Sequence, residues 1–147
     1  MRKIALVLVV LLAVSGMAFA RGGQQADDGT VRIALMMRNV DEQFLMDYAT
    51  NIRRMAAERG VDLNVQDARN DPATQLTQVQ TLLNQGFRHF VIIPVVSELA
   101  DEMNRMIHER GGAAAYSNIQ PTTSSLRIGP NFFFASSPEF VGGRFQG

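Results

Sequence analysis

Residues 31–147 are predicted to form an α/β domain, an open parallel sheet with helices on both faces. Two patterns carry this expectation. Short apolar runs of strand length alternate along the chain with longer stretches whose apolar residues recur every three to four positions. Strands alternating with helices build a parallel sheet joined by right-handed crossovers. The second pattern is the segment Asp67-Ala68-Arg69-Asn70-Asp71-Pro72-Ala73-Thr74-Gln75-Leu76, which reads as a strand end, a tight polar loop and a helix start. Its loop lies at the carboxyl edge of the sheet, where open α/β sheets bind ligands.

The chain begins with Met1-Arg2-Lys3, an apolar run over 4–19 broken by Gly16, and the small-x-small triplet Ala18-Phe19-Ala20. This is the pattern of a cleaved secretory signal peptide over residues 1–20, and the run is short for a membrane span. Gly, Gln and Asp dominate residues 21–30 without periodicity, so a flexible lead-in is expected there. Residues 31–37 read as the first strand and 38–43 as a polar loop. The first helix then turns Phe44, Tyr48, Ile52, Met55 and Ala56 inward and Arg53, Arg54, Glu58 and Arg59 mostly outward, and Gly60 stops it.

Val61, Leu63 and Val65 alternate as a half-buried second strand should. Asp71 can cap the next helix with its carboxylate, Pro72 suits the first turn, and Gly86 supplies a left-handed end after the stripe Leu76, Val79, Leu82 and Leu83. Phe90-Val91-Ile92-Ile93 is a buried third strand ending at Pro94, and Ser97 is a candidate cap for a helix striped by Leu99, Met103, Met106 and Ile107. After Gly111-Gly112 come a fourth strand of small residues, Ala113-Ala114-Ala115-Tyr116, a loop over 118–129, and a fifth strand, Phe132-Phe133-Phe134. Ser137-Pro138-Glu139 looks like another capped helix start, about two turns before Gly147.

Composition excludes several classes of function. The whole chain carries 14 basic and 14 acidic residues; without Arg2 and Lys3 it is slightly acidic, which argues against a nucleic-acid partner. There is no cysteine, so a disulfide scaffold, a thiolate metal site and a lipid anchor on cysteine are all excluded. His89 and His108 share no metal-like spacing with each other or with paired carboxylates, and the methionines fall mostly on helix stripes or in the first strand, as core filler. Gly142-Gly143 and Gly147 sit within a helix pattern, not between strand and helix, so they form no dinucleotide fingerprint. No catalytic triad, phosphate-binding loop or catalytic acid pair is found, and neither an enzyme nor a cofactor or metal is expected.

Several stretches, in order, resemble the type I periplasmic sugar-binding proteins of ABC transporters, the ribose- and galactose-binding group. They are residues 67–76 with Gln78-Val79-Gln80, then Asp41-Glu42-Gln43-Phe44-Leu45, Tyr116-Ser117-Asn118, and Gly142-Gly143-Arg144-Phe145-Gln146-Gly147. Two positions depart from that pattern. Ile93-Pro94-Val95-Val96 stands where the family has an Asn-Pro-Val-Asp type of sequence, and Pro138 replaces the usual aspartate after the fifth strand. The resemblance covers residues 31–147 and implies the N-terminal lobe of a two-lobed protein, with the second lobe and the returning segment outside this chain.

Three residues are candidates for ligand contact. Phe44 opens a helix at a ligand-facing strand end, where its ring could stack on the C–H face of a pyranose; the alternative is a core phenylalanine of the helix stripe. Glu42 could accept two charge-assisted hydrogen bonds from neighbouring hydroxyls, or be a solvated loop acid at the helix N-terminus. Asn118 offers a donor and an acceptor to a hydroxyl, or is simply a turn asparagine. Asp67 and Asn70 sit at the end of the second strand, where the ordinary account is that Asp71 caps the helix and Asn70 supports the turn. The resemblance implies a periplasmic binder of a monosaccharide, with an ABC transporter permease and a second-lobe chain as partners and little affinity in one lobe alone. The alternatives are an exported module docking a sensor or partner chain, or the inactive product of a truncated gene.

Overall fold

The computed structural model describes residues 29–135. The expected signal peptide, most of the lead-in, the helix start at Ser137-Pro138-Glu139 and the glycine-rich stretch from Gly142 lie outside the described residues. Five strands form one sheet: β1 (Arg32–Met37), β2 (Asp62–Asp67), β3 (His89–Ile92), β4 (Ala113–Tyr116) and β5 (Phe132–Phe134). All neighbours are parallel, in the order β2-β1-β3-β4-β5. Four helices connect them: α1 (Gln43–Glu58), α2 (Pro72–Asn84), α3 (Leu99–Glu109) and the single turn α4 (Thr123–Leu126).

Chain direction explains the layering. From β1 the chain moves one way to reach β2, then turns and moves steadily the other way through β3, β4 and β5. Right-handed crossovers therefore place α1 on one face and α2, α3 and α4 on the opposite one. The core divides accordingly. Leu35, Met37 and Ile93 pack with Leu45 and Ala49 of α1, whereas Ala34, Met36, Phe90, Ile92 and Ala114 pack with Val79, Leu82 and Leu83 of α2 and Met103 and Ile107 of α3. Central strand β1 is covered on both sides, which is why Ala34, Leu35, Met36 and Met37 form a continuous apolar run without alternation.

The punctuation residues behave as their chemistry dictates. The Asp71 carboxylate accepts from the backbone N–H of Ala73 at 2.8 Å and of Thr74 at 3.2 Å, holding its pKa below the ordinary value mainly through the Thr74 bond. At Gly112, an added Cβ would meet the Arg88 carbonyl at 2.7 Å and Ile107 Cγ2 at 2.8 Å, so only glycine lets the chain pass between α3 and β3.

Three expectations need correction. The first helix buries only part of the stripe starting at Phe44: Ala56 is buried and Tyr48 and Ile52 pack against the core, but the rest does not. Leu45, Ala49 and Ala56 are buried, while Phe44 and Met55 stand in solvent. Ser97 does not cap α3: Glu98 is the N-cap without a side-chain bond, and Ser97 Oγ instead donates to the Gln120 carbonyl at 2.8 Å. Within the expected loop over 118–129, α4 forms because Thr122 Oγ1 accepts from the Ser125 N–H at 3.2 Å.

Candidate functional site at the carboxyl edge

Parallel pairing brings the loops after β1, β2, β3 and β4 to one edge of the sheet. The direction of the connections reverses at β1 and β3, which makes the crevice between their loops the topological switch point. Glu42 and Phe44 belong to the β1 loop and the start of α1, Asn118 to the β4 loop. One strand, β3, separates them, a span of roughly 10 Å at the usual strand spacing.

Beside the switch point, the loops after β1 and β2 are tied together by polar side chains. Arg38 Nη2 donates to both oxygens of Glu42, at 2.7 and 2.6 Å. Asn39, only 3% exposed, donates from Nδ2 to Glu42 Oε1 at 3.2 Å and to Asn70 Oδ1 at 3.1 Å. The β2 loop is anchored in return, because the Asn70 N–H donates to the Arg38 carbonyl at 2.7 Å. Both Arg69 (φ 51°) and Asn70 (φ 59°) are left-handed, a conformation that asparagine tolerates but that strains arginine. The Asp67 carboxylate offsets the strain by accepting the Arg69 N–H at 2.9 Å. Two buried atoms here, Arg38 Nε and Asn39 Oδ1, have no hydrogen-bond partner among the described residues.

Beyond the switch point, a fully buried glutamine shapes the β3 loop. Gln75 donates from Nε2 to the Ile93 carbonyl and accepts the Val95 N–H on Oε1, both at 3.0 Å. Its amide thus substitutes for a neighbouring strand. On the β4 side, Asp101 of α3 accepts from Thr122 Oγ1 at 2.8 Å and Ser124 Oγ at 3.0 Å. A buried chain runs beneath: Tyr116 OH donates to Asn104 Oδ1 at 2.6 Å, and Asn104 Nδ2 to the Ser125 carbonyl at 3.0 Å. Burial, and secondarily the charge of Asp101, pushes the Tyr116 phenol far above its ordinary range.

No family model matches the chain. Among curated proteins it is similar to a putative rhizopine-binding protein of Rhizobium meliloti, with 27% identity over 136 residues, or 91% of this chain and 40% of that protein. Among solved structures it superposes on the Caulobacter myo-inositol binding protein bound to myo-inositol (TM-score 0.68, 19% identity, 79% of this chain, 38% of that one). A similar match is an ABC transporter periplasmic solute binding protein from Actinobacillus succinogenes with bound D-allose (TM-score 0.71, 16% identity, 79% and 42%). The fold is that of one lobe of a type I periplasmic binding protein. This agrees with the resemblance read from the sequence, and the chain spans about two fifths of the length of the relatives it matches.

In the frame of a binding-protein lobe, the three sequence candidates all lie at the carboxyl edge. Phe44 is 59% exposed and stands 6.4 Å, centroid to centroid, from Tyr48 at a tilt of 39°; it is not a core residue. Glu42 is the N-cap position of α1 but makes no capping bond, since its carboxylate is turned to Arg38. With Oε1 accepting twice and Oε2 once, Oε2 keeps one acceptor site for a further donor. Asn118 is exposed and left-handed, at φ 65°, so its side chain projects from a turn.

Arg38, Asn39 and Gln75 escaped the sequence reading. For Arg38 the available signal was its i, i+4 spacing to Glu42. A cleft of about 180 Å³ between β2 and α2, lined by Asn64, Gln66, Gln78 and Thr81 among others, shares no residue with this edge. It is also smaller than an ordinary ligand pocket.

Proposed function

We propose that this chain is the N-terminal lobe of a periplasmic solute-binding component of an ABC transporter, with a monosaccharide or cyclic polyol as its ligand. The observation that carries the reading is an exposed phenylalanine ring two residues from a carboxylate that Arg38 and Asn39 fix in place. A ring and a held acceptor are the two tools needed to grip a molecule with an apolar C–H face and a rim of hydroxyls. Phe44 takes the C–H face. Glu42 Oε2 accepts one hydroxyl, and Asn118 approaches from the far side of the crevice.

Relatives support the ligand class: those named above bind myo-inositol and D-allose, and another, from Clostridium phytofermentans, holds β-D-glucose. Their names describe binding proteins, which supports a binder over an enzyme and a place in the periplasm. Function then follows from hinge closure around a ligand, of which periplasmic binding proteins are a known example. Ligand contacts made only when two lobes meet favour the closed form, and the closed form is what a permease would recognise.

One lobe covers one side of a ligand, far short of the 70–90% burial of an ordinary pocket. The chain alone is expected to bind in the millimolar range, about −4 kcal/mol. Two-dimensional NMR of the full chain with D-glucose and with myo-inositol tests this. Shifts confined to Glu42, Phe44 and Asn118 are expected, and their absence at tens of millimolar polyol removes the site. Micromolar affinity by calorimetry would refute the half-cradle argument.

A further inference from the structure

The middle of the carboxyl edge is apolar where its flanks are polar. β3 lies between β1 and β4, so its loop stands between the Glu42 and Phe44 side of the crevice and Asn118. The chain enters that loop as Ile93-Pro94-Val95-Val96, and none of these side chains has a polar atom. Ile93 and Pro94 are buried, Val95 is half-buried, and Val96 is 42% exposed. At its centre the edge therefore shows solvent an isopropyl group.

Polar groups around Val96 are engaged within the protein. Pro94 has no N–H to offer. Gln75 occupies the Ile93 carbonyl and the Val95 N–H, both at 3.0 Å. The Val96 carbonyl accepts the Leu99 N–H at 3.3 Å. Ser97, the next residue with a hydroxyl, donates it to the Gln120 carbonyl at 2.8 Å, which laces the β3 loop to the β4 loop. A ligand hydroxyl turned toward Val96 gives up water and finds no side-chain partner in 93–96, and such a loss weakens binding. A hydrogen or a methyl group at the same place meets apolar surface and gains by leaving water. The discrimination is modest in kind: an apolar wall rejects an added hydroxyl by about 100-fold at most in a closed site, and by less in a lobe open to water.

We infer that Val96 is a specificity-determining residue, and that the ligand is a deoxygenated or O-methylated sugar or cyclitol whose apolar group faces the β3 loop. The inference rests on the ligand reading given above and narrows it.

The probes are D-glucose and its singly deoxygenated derivatives, and myo-inositol and its mono-O-methyl ethers. Each is titrated into the full 147-residue chain and followed by two-dimensional NMR. At least one substituted probe is expected to bind ~3-fold or more tightly than its parent, with a shift at Val96 beside those at Glu42, Phe44 and Asn118. Val96→Thr keeps the branched shape and adds a hydroxyl; it should abolish that preference while leaving urea unfolding of the exposed site unchanged. Val96→Asn provides the same test if the threonine variant unfolds early. Parents that bind as tightly as every substituted probe overturn this inference and leave the ligand reading standing, as does a preference that both variants retain. The absence of shifts at Glu42, Phe44 and Asn118 with every probe overturns both.

Discussion

Replacing Gln75 by leucine tests whether one buried amide sets the course of the β3 loop. The side chain is fully buried and bridges the Ile93 carbonyl and the Val95 N–H at 3.0 Å each. Leucine fills most of the volume, so little cavity forms, but both bonds vanish. Each net hydrogen bond is worth about 1 kcal/mol, and a buried group left without a partner costs about 1–3 kcal/mol. Ile93 is fully buried and pays that penalty, whereas Val95 is half-buried and recovers part of it from water. A loss of about 2–4 kcal/mol follows, on the order of 10 °C in melting temperature for a domain of this size. Urea unfolding followed by far-UV circular dichroism measures the loss, and amide exchange at Val95 locates it. A loss below about 1 kcal/mol, or Val95 protection equal to wild type, would refute the argument that this amide organises the loop.

Two further substitutions separate stability from binding. Tyr116→Phe removes the donor to buried Asn104 and should cost about 1–3 kcal/mol at neutral pH. Because the folded-state pKa of Tyr116 is raised above its ordinary value of 10.0, the unfolded chain loses this proton first as pH rises. Stability should then fall above about pH 10 by up to about 1.4 kcal/mol per unit in wild type, and the Tyr116→Phe variant should lack that increment in a urea series run against pH. Phe44→Ala truncates a ring that is mostly in solvent, so unfolding should move by no more than about 0.5 kcal/mol while the polyol-induced NMR shifts disappear.

Much of this fold could be read from local chemistry. The bounds of β4 follow from Gly111-Gly112 on one side and a polar turn on the other, and the Asp71-Pro72 start of α2 is capped as its residues require. The rotation of α1 could not be read that way. Two overlapping stripes, one through Phe44, Tyr48, Ile52, Met55 and Ala56 and one through Leu45, Ala49, Ile52 and Ala56, satisfy helical spacing equally well. Only the sheet beneath turns Leu45 and Ala49 fully inward and leaves Phe44 and Met55 outside, with Tyr48 at the margin. Gln75 reads as an ordinary polar helix residue because its partners lie 18 and 20 positions away. Asn39 meets Asn70 across 31 positions, a distance that only strand pairing closes. Sequence placed Glu42, Phe44 and Asn118 at the carboxyl edge, where the structure also has them, but was silent on Arg38, whose grip leaves Glu42 one open acceptor site instead of two.

The Gln75 clamp holds the segment after β3 by its main chain alone. Its route is therefore indifferent to which side chains Val95 and Val96 carry. Such an arrangement lets mutation rewrite the chemistry presented at that rim while the scaffold stays put, so a change of ligand taste there need not begin with a loss of folding.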